Sequence, residues 1–359
     1  MTLFTRATPK AEVVAVTGAG AGLGRAIAEE FGRHGARVGL IARGTERLTD
    51  ARRTIEEAGG RALPVPADVA DAGAVEEAAS RIEETFGPID VWVNNAMTSV
   101  FAPAVEMTAA EFKRVTDVTY LGCVHGTLAA LRRMLPRDRG VVVQIGSALA
   151  YRSIPLQSAY CAAKHAIVGF TDSVRTELLH RGSRVHLTIV HMPGINTPQF
   201  GWVKSRLPRK AQPVPPIFRP ADCAAAVYGA AHRRRREILV GVPTVKAVWG
   251  QKFLAGWLDR LLSAQAWDGQ MYDGSDDPHR PNNLVEPVPG HQGADGAFGD
   301  RTHPRGAEIW VTTHPEAAWG GVALALASLA GAALGSMAGR RSVDAGKRGA
   351  RSRRHVSAA

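Results

Sequence analysis

Cysteine is scarce in this chain. The three in 359 residues, Cys123, Cys161 and Cys223, show no C-x-x-C spacing, which argues against a disulfide framework and a zinc cluster and fits a reducing compartment. No metal is expected. Aromatics make up only 6% and are not interleaved with the basic residues, as a base-stacking platform would need. The first thirty residues hold no basic-then-apolar leader, so the N-terminal domain is expected in the cytoplasm. The net charge of +11 also misleads as a sum. Between Arg340 and Ala359 seven Lys and Arg face the single Asp344, so about half the excess sits in one tail, and nucleic acid is not an expected partner.

With 45% hydrophobic and 21% charged residues, the chain is apolar enough for a large core. From Glu12 to Val240 short apolar runs alternate with helical-length segments. Strands are predicted at Val13 to Thr17, Arg37 to Ile41, Ala62 to Pro66, Val91 to Asn94, Val141 to Ile145, Val185 to Val190 and Ile238 to Val240. Helices are predicted at Thr45 to Ala58, at Ala72 to Phe86 and from Thr108, where T-A-A-E spells a capping box. This rhythm predicts an α/β fold: a doubly wound, Rossmann-like, seven-stranded parallel sheet with helices on both faces, followed by a C-terminal extension.

The globular domain is assigned residues 1–243. Residues 244–267 read as an amphipathic helix or lid, with Val245, Val248, Trp249, Phe253, Trp257, Leu258 and Leu261 at helical spacing. The Gly/Pro-rich stretch 268–316 reads as a linker. Residues 317–339 carry no charge and are long enough for a membrane helix, with Gly331, Gly335 and Gly339 at small-xxx-small spacing; 340–359 is a basic tail suited to anionic head groups. Membrane association is therefore expected through 317–359.

The densest signal lies at Val16 to Gly24, VTGAGAGLG. No register fits G-x-G-x-x-G, but T-G-x-x-x-G-x-G does, on Thr17, Gly18, Gly22 and Gly24 with Leu23 between the last two. A glycine turn between a buried strand and a helix N-terminus presents free N–H groups and a positive dipole end to a diphosphate. The second strand ends L-I-A-R-G. No acidic residue precedes Glu46 to hold a ribose 2′-hydroxyl, and Arg43 suits a 2′-phosphate, so NADP is expected over NAD.

Further along, S-A-Y-C-A-A-K puts Tyr160 and Lys164 at i and i+4, on one helix face. The ammonium is expected to lower the phenol pKa from its ordinary value of about 10, which fits Tyr160 for proton exchange. Ser147 stands 13 residues upstream, at the end of a predicted strand.

With these motifs, Glu12 to Gly241 resembles the short-chain dehydrogenase/reductase family, in its T-G-x-x-x-G-x-G and Y-x-x-x-K oxidoreductase branch. Asp68 with Val69, the N-N-A of Asn94 to Ala96, and P-G-x-x-T at Pro193, Gly194 and Thr197 complete the pattern. The resemblance implies Tyr160 as general acid/base, Ser147 orienting the substrate oxygen, and Lys164 holding the nicotinamide ribose. Asp68 and Val69 would border the adenine, Asn94 and Ala96 would line the cofactor, and Thr197 with Pro193 and Gly194 would contact the nicotinamide or a phosphate. Homo-oligomers are common in the family. Two departures stand out. Met97 replaces the last glycine of N-N-A-G, and Thr119, in V-T-Y-L-G, replaces the asparagine that holds a relay water, with its hydroxyl expected to serve as a catalytic group in its place.

The expected function is NADP(H)-dependent interconversion of a small-molecule carbonyl and its alcohol. Ile154, Leu156, Met192, Phe200 and Trp202 predict an apolar substrate. A catalytically impaired NADP-binding scaffold or regulator and an acyl-carrier 3-ketoacyl reductase are the alternatives.

Overall fold

The computed structural model describes residues 11–277, 279–302, 306–314 and 316, and the elements below all belong to the unit that ends at Thr313. The expected membrane segment 317–339 and the basic tail lie outside the described residues. Among the described residues no helix is long and apolar enough to cross a membrane.

The main sheet has seven strands: β1 (Val13–Thr17), β2 (Arg37–Ala42), β3 (Arg61–Pro66), β4 (Val91–Asn94), β5 (Val141–Ser147), β6 (His186–Met192) and β7 (Glu237–Leu239). All pair in parallel, in the order β7-β6-β5-β4-β1-β2-β3. Each agrees with its sequence reading to within two residues at either end.

The helices are α1 (Gly22–Arg33), α2 (Thr45–Glu57), α3 (Ala72–Phe86), α4 (Ala109–Thr116), α5 (Gly122–Met134), α6 (Ser158–His180), α7 (Pro220–Ala231), α8 (Val242–Gln265) and α9 (Gly306–Thr313). At the start of α4 the predicted capping box is formed: Thr108 Oγ1 accepts from Glu111 N at 3.2 Å, and Glu111 Oε2 accepts from Thr108 N at 2.9 Å. A π-helical turn, Asp117–Leu121, joins α4 to α5.

Because strand side chains alternate, a strand covered on both faces must be apolar throughout. In β1, Val14 and Val16 enter one layer with Ile27 and Phe31 of α1, Leu48 of α2 and Val227 of α7. Val13 and Ala15 enter the other, with Ile82 of α3, Met134 of α5 and Val174 of α6. The strand order reverses between β1 and β4, which opens a crevice at the carboxyl ends of the strands, where open α/β sheets bind ligands.

Two parts of the C-terminal region follow β7. Helix α8 forms, but its apolar residues are not gathered against the core: Val248 is buried, whereas Trp249, Phe253 and Trp257 are exposed. The stretch read as a linker is not free of the domain either. Leu284 and Phe298 are buried, and residues between them bond to the mouth of the crevice.

Candidate active site

The glycine turn after β1 is built by close approach. Gly18 and Gly22 have φ of +70° and +58°, which glycine adopts without strain. A Cβ on Gly24 would lie 2.2 Å from Gly18 O and 2.3 Å from Asn95 Nδ2, so a side chain there must displace the turn itself. Thr17 is turned away from the cleft: its hydroxyl donates to Val93 O at 3.3 Å and accepts from Asn95 N and Ala96 N at 2.9 and 3.0 Å. It ties β1 to the end of β4. Gly18, Gly22, Leu23 and Gly24 do line the cleft. Helix α1 has no side-chain cap and no acidic residue in its first turn, so its amino end suits a diphosphate.

The cleft encloses about 450 Å³. At one end are Arg43, Asp68, Val69 and Ala96; Asn94 is not among them. Its carboxamide points into the core, accepting from Trp92 Nε1 at 2.8 Å and donating to Thr127 Oγ1 and Gln144 Oε1 at 3.0 and 2.9 Å. As the last residue of β4 it shares a face with Trp92, two positions back, and the next residue, Asn95, lines the cleft instead. Asp68 pairs with Arg114 at 2.5 Å and accepts from Ala70 N at 3.0 Å.

At the other end Ser147, Tyr160 and Lys164 line the same cleft, with Pro193, Gly194 and Thr197. β5 delivers Ser147 as its last residue, and α6 carries the other two. Ser147 Oγ accepts from Leu149 N at 3.1 Å, which leaves its proton for the phenol oxygen of Tyr160. Lys164 Nζ donates to Ile145 O at 2.6 Å and lies 5.6 Å from the centre of the Tyr160 ring.

The electrostatics differ from the sequence expectation. Burial pushes the Tyr160 phenol above its ordinary value, and the bond to Ser147 opposes this without reversing it. Burial also pushes Lys164 down, to about 8. Exclusion of water penalises both charged forms, so the phenol stays protonated near neutrality.

Thr119 is not brought to the cleft. Its buried hydroxyl donates to Thr98 O at 3.0 Å and accepts from Thr98 N at 3.1 Å, which fastens the π-helical turn to the loop after β4. Met97 does line the cleft. Of the residues expected to contact substrate, Ile154, Met192, Phe200 and Trp202 line it, whereas Leu156 is buried in a separate cluster with Phe101, Val203 and Leu207. Trp202 lies beside Arg47, whose guanidinium is 4.5 Å above its ring.

Sequence reasoning missed three features: Asn95, Arg47 and a polar cluster behind Ser147. In that cluster His191 is fully buried, with Nδ1 3.1 Å from Ser147 O and Nε2 3.1 Å from Glu237 Oε1, and Tyr151 OH donates to the same Glu237 oxygen at 2.5 Å. Burial opposes ionisation of Glu237, but the bonds from His191 and Tyr151 hold its carboxyl at about 2. Glu237→Gln is expected to lower stability by about 1–3 kcal/mol, because a neutral amide oxygen turns two charge-assisted bonds into ordinary ones. Chemical denaturation checks this, and an unchanged midpoint would contradict it.

Residues 12–206 match the family model described as short chain dehydrogenase. The chain belongs to the short-chain dehydrogenase/reductase family. It is 31% identical over 279 residues to an uncharacterized oxidoreductase, YxnA, of Bacillus subtilis (strain 168), which spans 77% of this chain and 78% of that protein. Among solved structures it is similar to a metagenomic short-chain oxidoreductase in complex with NADP (TM-score 0.54, 30% identity, 64% of this chain and 96% of the other). It is also similar to an actinorhodin polyketide ketoreductase variant with NADPH (TM-score 0.57, 27% identity, 65% and 97%).

Proposed function

We propose that this chain is an NADP(H)-dependent oxidoreductase that interconverts an apolar ketone or aldehyde and its alcohol. One observation carries this reading: Ser147, Tyr160 and Lys164 line the same cleft as the glycine turn and Arg43. Similar proteins crystallised with NADP or NADPH support the choice of nucleotide.

The bound nicotinamide supplies a hydride or accepts one. The rest of the chemistry falls to this chain. The amino end of α1 holds the diphosphate, and Arg43 takes the 2′-phosphate. Lys164 donates to the nicotinamide ribose, while Ser147 turns its one hydroxyl proton from the phenol of Tyr160 to the substrate oxygen and fixes its position. In reduction Tyr160 gives its proton to the carbonyl oxygen as the carbon receives the hydride; in oxidation it takes that proton back. Ile154, Met192, Val214 and Leu262 make the adjoining wall apolar, and that wall accounts for the substrate class.

NADPH consumption against ketones and aldehydes of increasing apolar size tests the reading. Turnover is expected, with kcat/KM rising with apolar bulk. Absence of nucleotide oxidation with every carbonyl, together with absence of NADP⁺ reduction by the matching alcohols, would overturn it. A pH prediction follows from Lys164. Its ammonium donates the bonds this role requires, and it loses its proton as pH rises through about 8. The kcat/KM for reduction is therefore expected to fall on the alkaline side of about pH 8, and Lys164→Arg should move that limb upward. A limb at the same pH in both forms would remove Lys164 as its cause.

A further inference from the structure

Arg43 and Arg47 both line the nucleotide end of the cleft, and neither has a carboxylate within ion-pair distance among the described residues. Their partners are main-chain carbonyls of one passing segment. Arg43 donates to Asn283 O at 2.7 Å and to Val285 O; Arg47 donates to Gly290 O at 3.1 Å and to Val288 O. The same segment accepts from Gly22 N, at the start of α1, through Gly293 O at 3.1 Å. It is anchored at both ends. Leu284 is buried among Val100, Ala102, Val115 and Ala159, and Phe298 packs edge-on to Phe200 and Tyr272. Arg114, the partner of Asp68, also donates to Leu284 O at 3.0 Å. Asn283 and Pro287 line the cleft itself, so the segment is one of its walls.

Neutral carbonyls orient a guanidinium but do not neutralise it. Each arginine has five N–H donors and spends two on the segment, so the remaining donors of both are available. Two cations set side by side in a partly buried site repel each other, and burial followed by the charge of Arg43 depresses the Arg47 pKa. Asp68 and Glu286 act on Arg43, and Glu46 on Arg47, only through space, so the donors that remain suit an anion of more than one charge. We propose that residues 283–298 are a strap that walls the nucleotide site and holds Arg43 and Arg47 as a paired receptor for the 2′-phosphate, so that preference for NADP(H) depends on the strap and on Arg47 as well as on Arg43. The proposal rests on the cofactor reading above.

The test uses the full-length protein and measures Kd for NADPH and NADH by calorimetry. Arg47→Gln removes one charge-assisted contact, worth about 1.5–3 kcal/mol, so NADPH Kd is expected to rise roughly 10- to 100-fold while NADH Kd stays within about twofold. Leu284→Ala combined with Phe298→Ala loosens both anchors without touching either arginine, and is expected to reduce the NADPH-to-NADH preference in the same direction and to speed NADPH release. In the wild type, amide hydrogen exchange across residues 284–296 should slow more with NADPH than with NADH. A wild type that prefers NADPH, with both variants keeping that preference within twofold and the strap amides unaffected, overturns the strap alone. A wild type that binds NADPH no more tightly than NADH overturns the cofactor reading and the strap with it.

Discussion

Tyr160→Phe is expected to lower kcat for carbonyl reduction about 10²- to 10⁴-fold, the usual contribution of a positioned general acid, with NADPH Kd unchanged. The substitution keeps the ring and removes only the group that exchanges the proton. Its environment explains the size of the effect. The phenol is held neutral by burial, Ser147 bonds to its oxygen, and Lys164 is held beside the ring by Ile145 O. Single-turnover kinetics separate the chemical step from release. A variant with a single-turnover rate close to the wild type would remove Tyr160 from the proton transfer, and loss of NADPH binding alone would make it a cofactor contact.

Gly24→Ala is expected to abolish nucleotide binding and to lower stability by about 1–3 kcal/mol or more, the cost of overpacking a rigid site. The added Cβ meets Gly18 O and Asn95 Nδ2, both fixed by the turn and by Thr17. Gly20→Ala is the internal control. Gly20 has no positive φ, and its Cβ would find Arg47 Cβ at 3.3 Å and Ala42 Cβ at 3.6 Å, so only a small adjustment is needed. Thermal unfolding and NADPH titration of the pair check the contrast. Equal losses in both would mean that the cradle does not depend on glycine at the third motif position.

The sheet was readable because burial on both faces leaves little choice of residue. VVAVT is apolar at its first four positions, and such a run ending at a glycine turn has few readings other than a central strand. Likewise the turn and Arg43 announce themselves through residue type at fixed offsets from strand ends. The side on which a residue falls at a strand end is harder to read. Asn94 and Asn95 are chemically identical in sequence, and only the pleat, through Trp92, decides that the first enters the core and the second the cleft. Thr119 shows the same limit. Its hydroxyl looked available for a relay until the π-helical turn brought it onto the backbone of Thr98. The strap left almost no trace, because it is held by carbonyl oxygens, which every residue has, and by two apolar anchors too far apart to make a period. Its Gly, Pro, Asp and His content reads as a connector for that reason.

In the proposed reaction this cleft transfers hydride to a carbonyl carbon while Tyr160 supplies the proton. Reduction of an apolar ketone with NADPH deuterated at nicotinamide C4, followed by mass spectrometry of the alcohol, tests it most directly. One deuterium is expected on the carbinol carbon from one of the two C4-labelled stereoisomers, with formation of that product slowed by Tyr160→Phe. Tight NADPH binding with no deuterium reaching any carbonyl offered would contradict it and leave a protein that holds the nucleotide without using it.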